Sequence, residues 1–467
     1  MPSIFRSEAH ALVTTPEIRA DVERTVVAFR RAVRALCGVI MVHWPEVAKA
    51  SFTCNAVEAL FHATAKRPVV RYAVLGRMLG KMPSYLRRAA IEQAHGAVAS
   101  YLANYGHFLD GKIGGKARAE GAKPPRLGFS NVFPPLYGGN MITCEAGLRA
   151  VCVKLLGADG QWRFSPSLAL KGKFKRLPAL AGKMDLCPTL MQKGAKVWLA
   201  CPVKVTPPKC LTNKAFVDGA HKVCSIDVGI NTAATAAIVD STGTVMARKF
   251  FTCGRHNDRR DALADRIADK QRQSGRIAKG ERHAVALHRR VAGLSLDAAR
   301  RLASDIAEFA RQHGAKAVVI EDLKGWRPKG PSRKMKRRFH RFQHRALVNA
   351  LAQKAQEFGL RVLDIFARGT SRFAYDGSGK VVRSKANAQL ATFPSGKRYN
   401  ADLNGALNIA ARGLALLLGI KSHIQAGTGK SSGPVERMPL VLADIWAHAQ
   451  ALRGPSNRPA LPAGSLA

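Results

Sequence analysis

The stretch that decides the fold reads Val223-Cys224-Ser225-Ile226-Asp227-Val228-Gly229, and it is soon followed by Ala233-Ala234-Thr235-Ala236-Ala237-Ile238-Val239-Asp240. Both are short apolar runs ending on an acid, the pattern of strands buried on both faces. Thr242-Gly243 then gives a hairpin turn signal into Val245 to Phe251. Working outward, charged helical sequence fills roughly Asp258 to His313. Lys316 to Ile320 is another apolar strand, closing on Glu321-Asp322. A helix from about His340 to Phe358 precedes a strand from Leu360 to Phe366. Strand, hairpin, helix, strand, helix predicts an α/β domain with a mixed sheet and flanking helices.

Upstream the pattern differs. The first stretch reads as helical: Thr15 before Pro16 is a cap followed by a first-turn proline. Ile18, Val22, Val26, Phe29, Val33, Leu36 and Ile40 then recur at helical spacing. A second helix is predicted from Ser84, after Pro83. Gly, Lys and Pro crowd the segment from Gly111 to Gly128, which reads as a linker or a backbone-binding loop. Short β-type runs, such as Val151 to Leu156 and Val197 to Val205, predict a small β domain. The expected organisation is a mainly helical region over 1–128, a small β domain over 129–220 and an α/β domain over 221–412. A C-terminal helix and a disordered tail would fill 413–467.

The 467 residues carry 75 Lys+Arg against 31 Asp+Glu, a net charge of +44. Such self-repulsion is tolerated chiefly when a polyanion neutralises it, so nucleic acid is the expected partner and an ordinary metabolic enzyme is disfavoured. The richest apolar run, Leu414 to Ile420, is far shorter than a membrane span needs, so no membrane is expected. Nine cysteines are dispersed, with none after Cys253 and no signal-peptide pattern at the N-terminus. That usage predicts reduced thiols in the cytoplasm.

Three acids stand where an element would present them at a sheet end: Asp227, Glu321 and Asp402, the last opening a helix-like run through Asn404, Ala406, Leu407, Asn408 and Ile409. One terminal acid is more often a solvated cap. Three together have the logic of a divalent-metal site, because hard carboxylate oxygens bind Mg²⁺ or Mn²⁺ and two such ions activate water against a phosphodiester. Gly229 would let a substrate or ion approach the strand end.

Ser225-Ile226-Asp227-Val228-Gly229-Ile230-Asn231 resembles the first RuvC motif of the transposon-encoded TnpB (OrfB) nucleases and the type V CRISPR effectors. Val319-Ile320-Glu321-Asp322-Leu323 resembles the second motif, and Ala401 to Ile409 the third. The resemblance implies an RNase H-like (RuvC) nuclease domain, a two-metal site and RNA-guided recognition of DNA. Asp227, Glu321 and Asp402 fall on the family's catalytic acids. Asp322 is not expected to ligate, since alternation along a strand turns neighbours to opposite faces.

The chain departs from the family's four-cysteine zinc ribbon. Over 367–400, Ala374, Gly377, Thr392 and Ser395 stand where the cysteines would be, so no zinc is expected and the resemblance is to a zinc-free branch.

From Lys324 to Arg341 there is no acid. Lys324, Arg327, Arg333, Lys334, Lys336, Arg337 and Arg338 occur there with Trp326 interleaved, and Arg372 lies further on. Such runs are usually solvated faces, but this one leaves directly from Glu321 and is placed to pair phosphates and stack a base. His340 and His344, four apart, have no evident third ligand.

The expected function is an RNA-guided, Mg²⁺- or Mn²⁺-dependent DNA endonuclease. Its partners would be a guide RNA and a target DNA with a short flanking motif read by the N-terminal half. Two rivals remain: a guided binder that targets or represses without cutting, and an unguided structure-specific nuclease. RNA bound to the purified protein separates guided from unguided, and a nick in matched DNA separates cutter from binder.

Overall fold

Two units divide the chain, residues 1–206 and 207–467. The computed structural model describes residues 4–113, 116–118, 120–145, 149–172, 187–229, 232–275, 283–323, 344–383, 387, 389–420 and 440–453.

The first unit runs β1 (Ile4–Leu12), α1 (Pro16–Val42), α2 (Trp44–Val47), α3 (Thr53–Phe61), α4 (Ala73–Gly80) and α5 (Ser84–Leu109). There follow β2 (Lys112–Ile113), β3 (Lys116–Ala117), β4 (Ile142–Cys144), β5 (Ala150–Leu156), β6 (Trp162–Phe164), β7 (Leu168–Lys171), β8 (Thr189–Lys193) and β9 (Lys196–Val205). Helix α1 starts as predicted: the Ile18 amide donates to Thr15 Oγ1 at 3.3 Å. Its buried stripe is Val22, Val26, Phe29, Val33, Leu36 and Ile40, packed with Leu86, Ile91 and Val98 of α5 in one core.

The opening stretch corrects the sequence reading. Ile4–Leu12 is a strand, and it lies inside a sheet of order β4-β5-β7-β1-β9-β8, with β6 on β5. It pairs antiparallel with β9 from Ile4↔Val205 to Ala11↔Trp198. The boundary at 128 therefore does not part a helical body from a β body. The residues that β1 turns inward include Glu8 and His10, while Phe5 is 53% exposed, so polarity hides the strand's alternation.

The second unit runs α6 (Asn213–Val217), β10 (Lys222–Asp227), β11 (Ala234–Asp240), β12 (Val245–Phe251), α7 (Gly254–Gln273), α8 (Val285–Gln312), β13 (Ala315–Asp322), α9 (His344–Glu357) and β14 (Arg361–Phe366). Then come β15 (Val382–Arg383), β16 (Leu390–Thr392), β17 (Arg398–Asn400), α10 (Ala401–Leu418) and α11 (Leu442–Arg453). Five strands form a mixed sheet of order β12-β11-β10-β13-β14. β12, β11 and β10 are antiparallel neighbours, whereas β10, β13 and β14 are parallel. The predicted hairpin is present. Asp240 Oδ1 accepts from the amides of Thr242 and Thr244, each at 2.9 Å, and Gly243 takes φ +85°.

Alternation sorts the sheet residues onto two cores. Cys224, Ile226, Ala236, Ile238, Val318 and Ile320 face α8 and α9. Val223, Ala237, Val239, Ala317 and Val319 face α10. The same parity carries Asp227 and Glu321 to the α10 side and Asp322 to the other. Helix α10 runs on past the domain boundary expected at residue 412 and stops at Gly419, φ +69°. The stretch that departs from the zinc ribbon forms a three-stranded sheet, β15-β16-β17. Beside it the Tyr375 ring meets Phe393 and Trp446 edge-on, with centroids 5.7 and 6.1 Å away. Among the described residues no helix is long and apolar enough to cross a membrane.

Candidate active site: three carboxylates at one sheet end

Asp227 is the last residue of β10 and Glu321 the next to last of β13. These strands are parallel neighbours with Ile226 beside Ile320, so the two acids stand side by side about one strand spacing apart, ~4.8 Å between backbones. Asp402 lies in the first turn of α10, whose start is fixed by Asn400 Oδ1 accepting from the Leu403 amide at 2.9 Å. An acid in that turn is favoured by the helix dipole.

Two glycines let these elements approach. A Cβ on Gly405 would sit 2.5 Å from Asp227 Oδ2, so α10 lies on the acid only because that residue has no side chain. A Cβ on Gly229 would come within 2.7 Å of the Thr232 carbonyl and 3.9 Å of Asp402 Oδ2. Gly229 is therefore needed by the turn that brings the chain back, a reason beyond the open approach read from sequence.

Burial pushes the Asp227 carboxyl well above its ordinary range, the charges of Glu321 and Asp402 push it further, and the Arg383 guanidinium opposes them. Burial also raises Glu321, against the Thr370 hydroxyl bond and the Arg412 charge. Asp402 is raised by burial too, against Arg383 and a hydrogen bond from Thr232. Two buried acids and a half-buried third that resist ionisation together are a site prepared for positive charge. The expectation that all three already lie within shared-metal reach is not met. Among the described residues, no three His, Cys, Asp or Glu side chains are gathered closely enough to hold an ion. Glu321 instead accepts from Thr370 Oγ1 at 2.5 Å.

Of the other expected site residues, Arg372 is exposed on the loop after β14. Lys324, Trp326, Arg327, Arg333, Lys334, Lys336, Arg337 and Arg338 lie outside the described residues, as does His340. His344 is half-buried, its pKa lowered by burial, and it hydrogen-bonds the Glu321 backbone. The sequence reading missed Arg383, Thr370 and Gly405. Only Gly405 left a signal, a glycine inside a helical pattern, which is tolerated there for a packing reason.

Residues 7–157, less than half of the chain, match a family model described as the Aq_aa04 family. The TnpB-like protein ORF457 of Acidianus two-tailed virus is 25% identical over 210 residues, 42% of this chain and 43% of that protein. The TnpB-like protein aq_aa05 of Aquifex aeolicus (strain VF5) is 30% identical over 188 residues, 38% of this chain and 58% of that protein. The match thus spans about half the length of these curated relatives. Among solved structures, that of Alicyclobacillus acidoterrestris C2c1 in complex with single-guide RNA is 11% identical, over 93% of this chain and 74% of that one, with a TM-score of 0.43. The mini-RNA-guided endonuclease CRISPR-Cas_phi3 is 11% identical, over 89% and 92%, also at 0.43. Likeness this loose decides nothing about activity.

Proposed function

We propose that this chain, a relative of the TnpB-like proteins, is an RNA-guided DNA endonuclease whose second unit is a RuvC-like nuclease domain of RNase H type. The observation that carries the reading is that Asp227 and Glu321 end neighbouring strands of a β12-β11-β10-β13-β14 sheet, with Asp402 near enough that its charge and that of Glu321 both raise Asp227. The donor set fits Mg²⁺ or Mn²⁺: all hard oxygens, buried or half-buried, and mutually repelling until a dication joins them. Asp227, Glu321 and Asp402 would hold two such ions, which when bound activate water and stabilise the leaving oxygen of a phosphodiester.

The chain's own residues prepare that site. Burial at the sheet end thins the water around the acids and strengthens charge interactions there. Thr232 donates to Asp402 and Thr370 to Glu321, limiting the positions each carboxylate can take. Arg383 directs positive charge at Asp227 and Asp402, where a phosphate would lie. Lys324, Trp326, Arg327, Arg333, Lys334, Lys336, Arg337, Arg338 and Arg372 are read as contacts to nucleic acid. Pairing by a guide RNA would supply sequence specificity, with the first unit reading a short flanking DNA motif. The 367–400 stretch is read as zinc-free. One equivalent of tightly held zinc in the purified protein would show that stretch to be misread.

The test compares cleavage and binding with the co-purified RNA and matched DNA. A +44 chain purifies with RNA, and its affinity for nucleic acid falls steeply with salt. Asp227→Ala keeps guided DNA binding while cleavage drops at least ~100-fold. Replacing Lys334, Lys336 and Arg337 by Ala weakens binding and its salt slope instead. Normal cleavage by Asp227→Ala defeats the acid assignment. Tight binding by a wild type that never cuts in Mg²⁺ or Mn²⁺ leaves the guided binder as the answer.

A further inference from the structure

Helix α10 has two working faces. The Gly405 face lies on Asp227, and further along a Cβ on Gly413 would sit 2.4 Å from Val319. A second face carries Asn404, Asn408 and Arg412 at four-residue spacing, and it grips the loop 366–375. Asn404 accepts from the Tyr375 amide at 2.9 Å and donates to the Phe373 carbonyl at 2.8 Å. Asn408 Nδ2 donates to the carbonyls of Thr370 and Phe373, both at 2.8 Å. The Arg412 guanidinium donates to the Phe366 carbonyl and, at 3.0 Å, to that of Arg368.

Both asparagines are essentially fully buried, at 0% and 1% exposure, although asparagine is a poor helix former. Helix stability does not explain them. Their hydrogen bonds all go to this one loop, and in its middle stands Thr370, 2% exposed. Its carbonyl is held by Asn408. Its hydroxyl has one hydrogen, and Glu321 Oε1 at 2.5 Å is a nearer acceptor than the Ala367 carbonyl at 2.9 Å. A glutamate at a strand end has several rotamers. A hydrogen bond to one oxygen selects among them and leaves the other oxygen for a cation.

We infer that Thr370 is a positioning residue for Glu321, held in place by the Asn404–Asn408–Arg412 row. The helix that supplies Asp402 thereby also orients Glu321. This rests on the metal-dependent reading proposed above. Groups that orient a metal ligand in this way typically govern 10–100-fold in affinity for the ion.

The test measures Mn²⁺ binding to the full-length protein by the electron paramagnetic resonance signal of free Mn²⁺. The proteins are wild type, Asp227→Ala, Thr370→Val, Thr370→Ser, Asn408→Leu and the Thr370→Val/Asn408→Leu double variant. Melting in EDTA checks that each is folded. Thr370→Val and Asn408→Leu are expected to bind Mn²⁺ about 10–100-fold more weakly. Thr370→Ser restores wild-type affinity. The double variant loses no more than Thr370→Val alone, since both act through one hydroxyl. The Mn²⁺ concentration for half-maximal cleavage moves with the affinity. If Thr370→Val binds like wild type, or the two losses add, the inference is overturned. If wild type and Asp227→Ala bind Mn²⁺ alike, the metal-centre reading has failed instead. Should Asn408→Leu not fold, Thr370→Val, which keeps the shape of the side chain, against Thr370→Ser still decides.

Discussion

Glu58 in the first unit and Asp227 in the second are each 9% exposed, yet their surroundings treat them in opposite ways. Glu58 is met by Arg87 Nε at 3.0 Å and by Arg88 at 3.6 Å, so its charge is answered within the chain. Among the described residues Asp227 is in no ion pair, and the charges that act on it most are those of Glu321 and Asp402. A buried acid with its own guanidinium belongs to the fold. Asp227, Glu321 and Asp402 stay raised despite the charges of Arg383 and Arg412, which makes the fold less stable than it need be, the mark of a site that waits for something from outside.

The largest expected effect is on the paired acid. Arg87→Ala leaves Glu58 buried against only the exposed Arg88 and should cost about 3–5 kcal/mol, read from urea unfolding. A loss under about 1 kcal/mol would break the contrast.

The second test adds the missing charge. Mg²⁺ at a hundred times its dissociation constant should stabilise the protein by about 2.7 kcal/mol. The pH dependence has a definite sign. A carboxyl whose folded-state pKa is raised keeps its proton longer in the fold than in the unfolded chain. Its contribution is thus fully present below the ordinary carboxylate range and is lost as pH rises through the raised value. Metal-free protein should therefore melt lower as pH is raised across that window, and saturating Mg²⁺ should flatten the slope. A metal-free melting temperature that rises instead would refute the shifts given for Asp227, Glu321 and Asp402.

Third, Asp227→Asn keeps the shape and removes one charge. It should stabilise the metal-free protein by about 0.5–2 kcal/mol while abolishing cleavage, a trade typical of strained functional sites. Smallest of all is the exposed pair. Arg311 meets Glu308 at 2.5 Å with both side chains more than a third exposed, and Glu308→Gln should cost no more than about 0.5 kcal/mol.

How much of this was legible follows from where the chemistry is written. Asp227 and Glu321 could be read because apolar strands point straight at them, and Asp402 because a helical pattern opens on it. The Thr15 cap and the Asp240 turn were legible for the same reason, since each is satisfied by its own neighbours in sequence. Strand β1 was not, because Glu8 and His10 occupy positions where alternation leads one to expect apolar residues. Thr370 and Arg383 were not, because their importance lies in partners far along the chain. The basic run after Glu321 was plain in the sequence, and its residues lie outside those the structure describes.

Trp446 of α11 donates from Nε1 to the Gly243 carbonyl at 2.8 Å, and Leu440, Leu442 and Ile445 share a core with Val223. The layer that backs the carboxylates is thus closed by residues made some two hundred positions after the strand they cover. During synthesis, Asp227, Glu321 and Asp402 are all present before that layer can close. The second unit therefore lacks part of its apolar cover until α11 emerges, even with α10 in place, and contacts spanning so much sequence form slowly. The cutting proposed above would thus arrive late, after translation of Asp227, Glu321 and Asp402 themselves, and ribosome-stalled chains ending before residue 440 should be poorly soluble and should not cut.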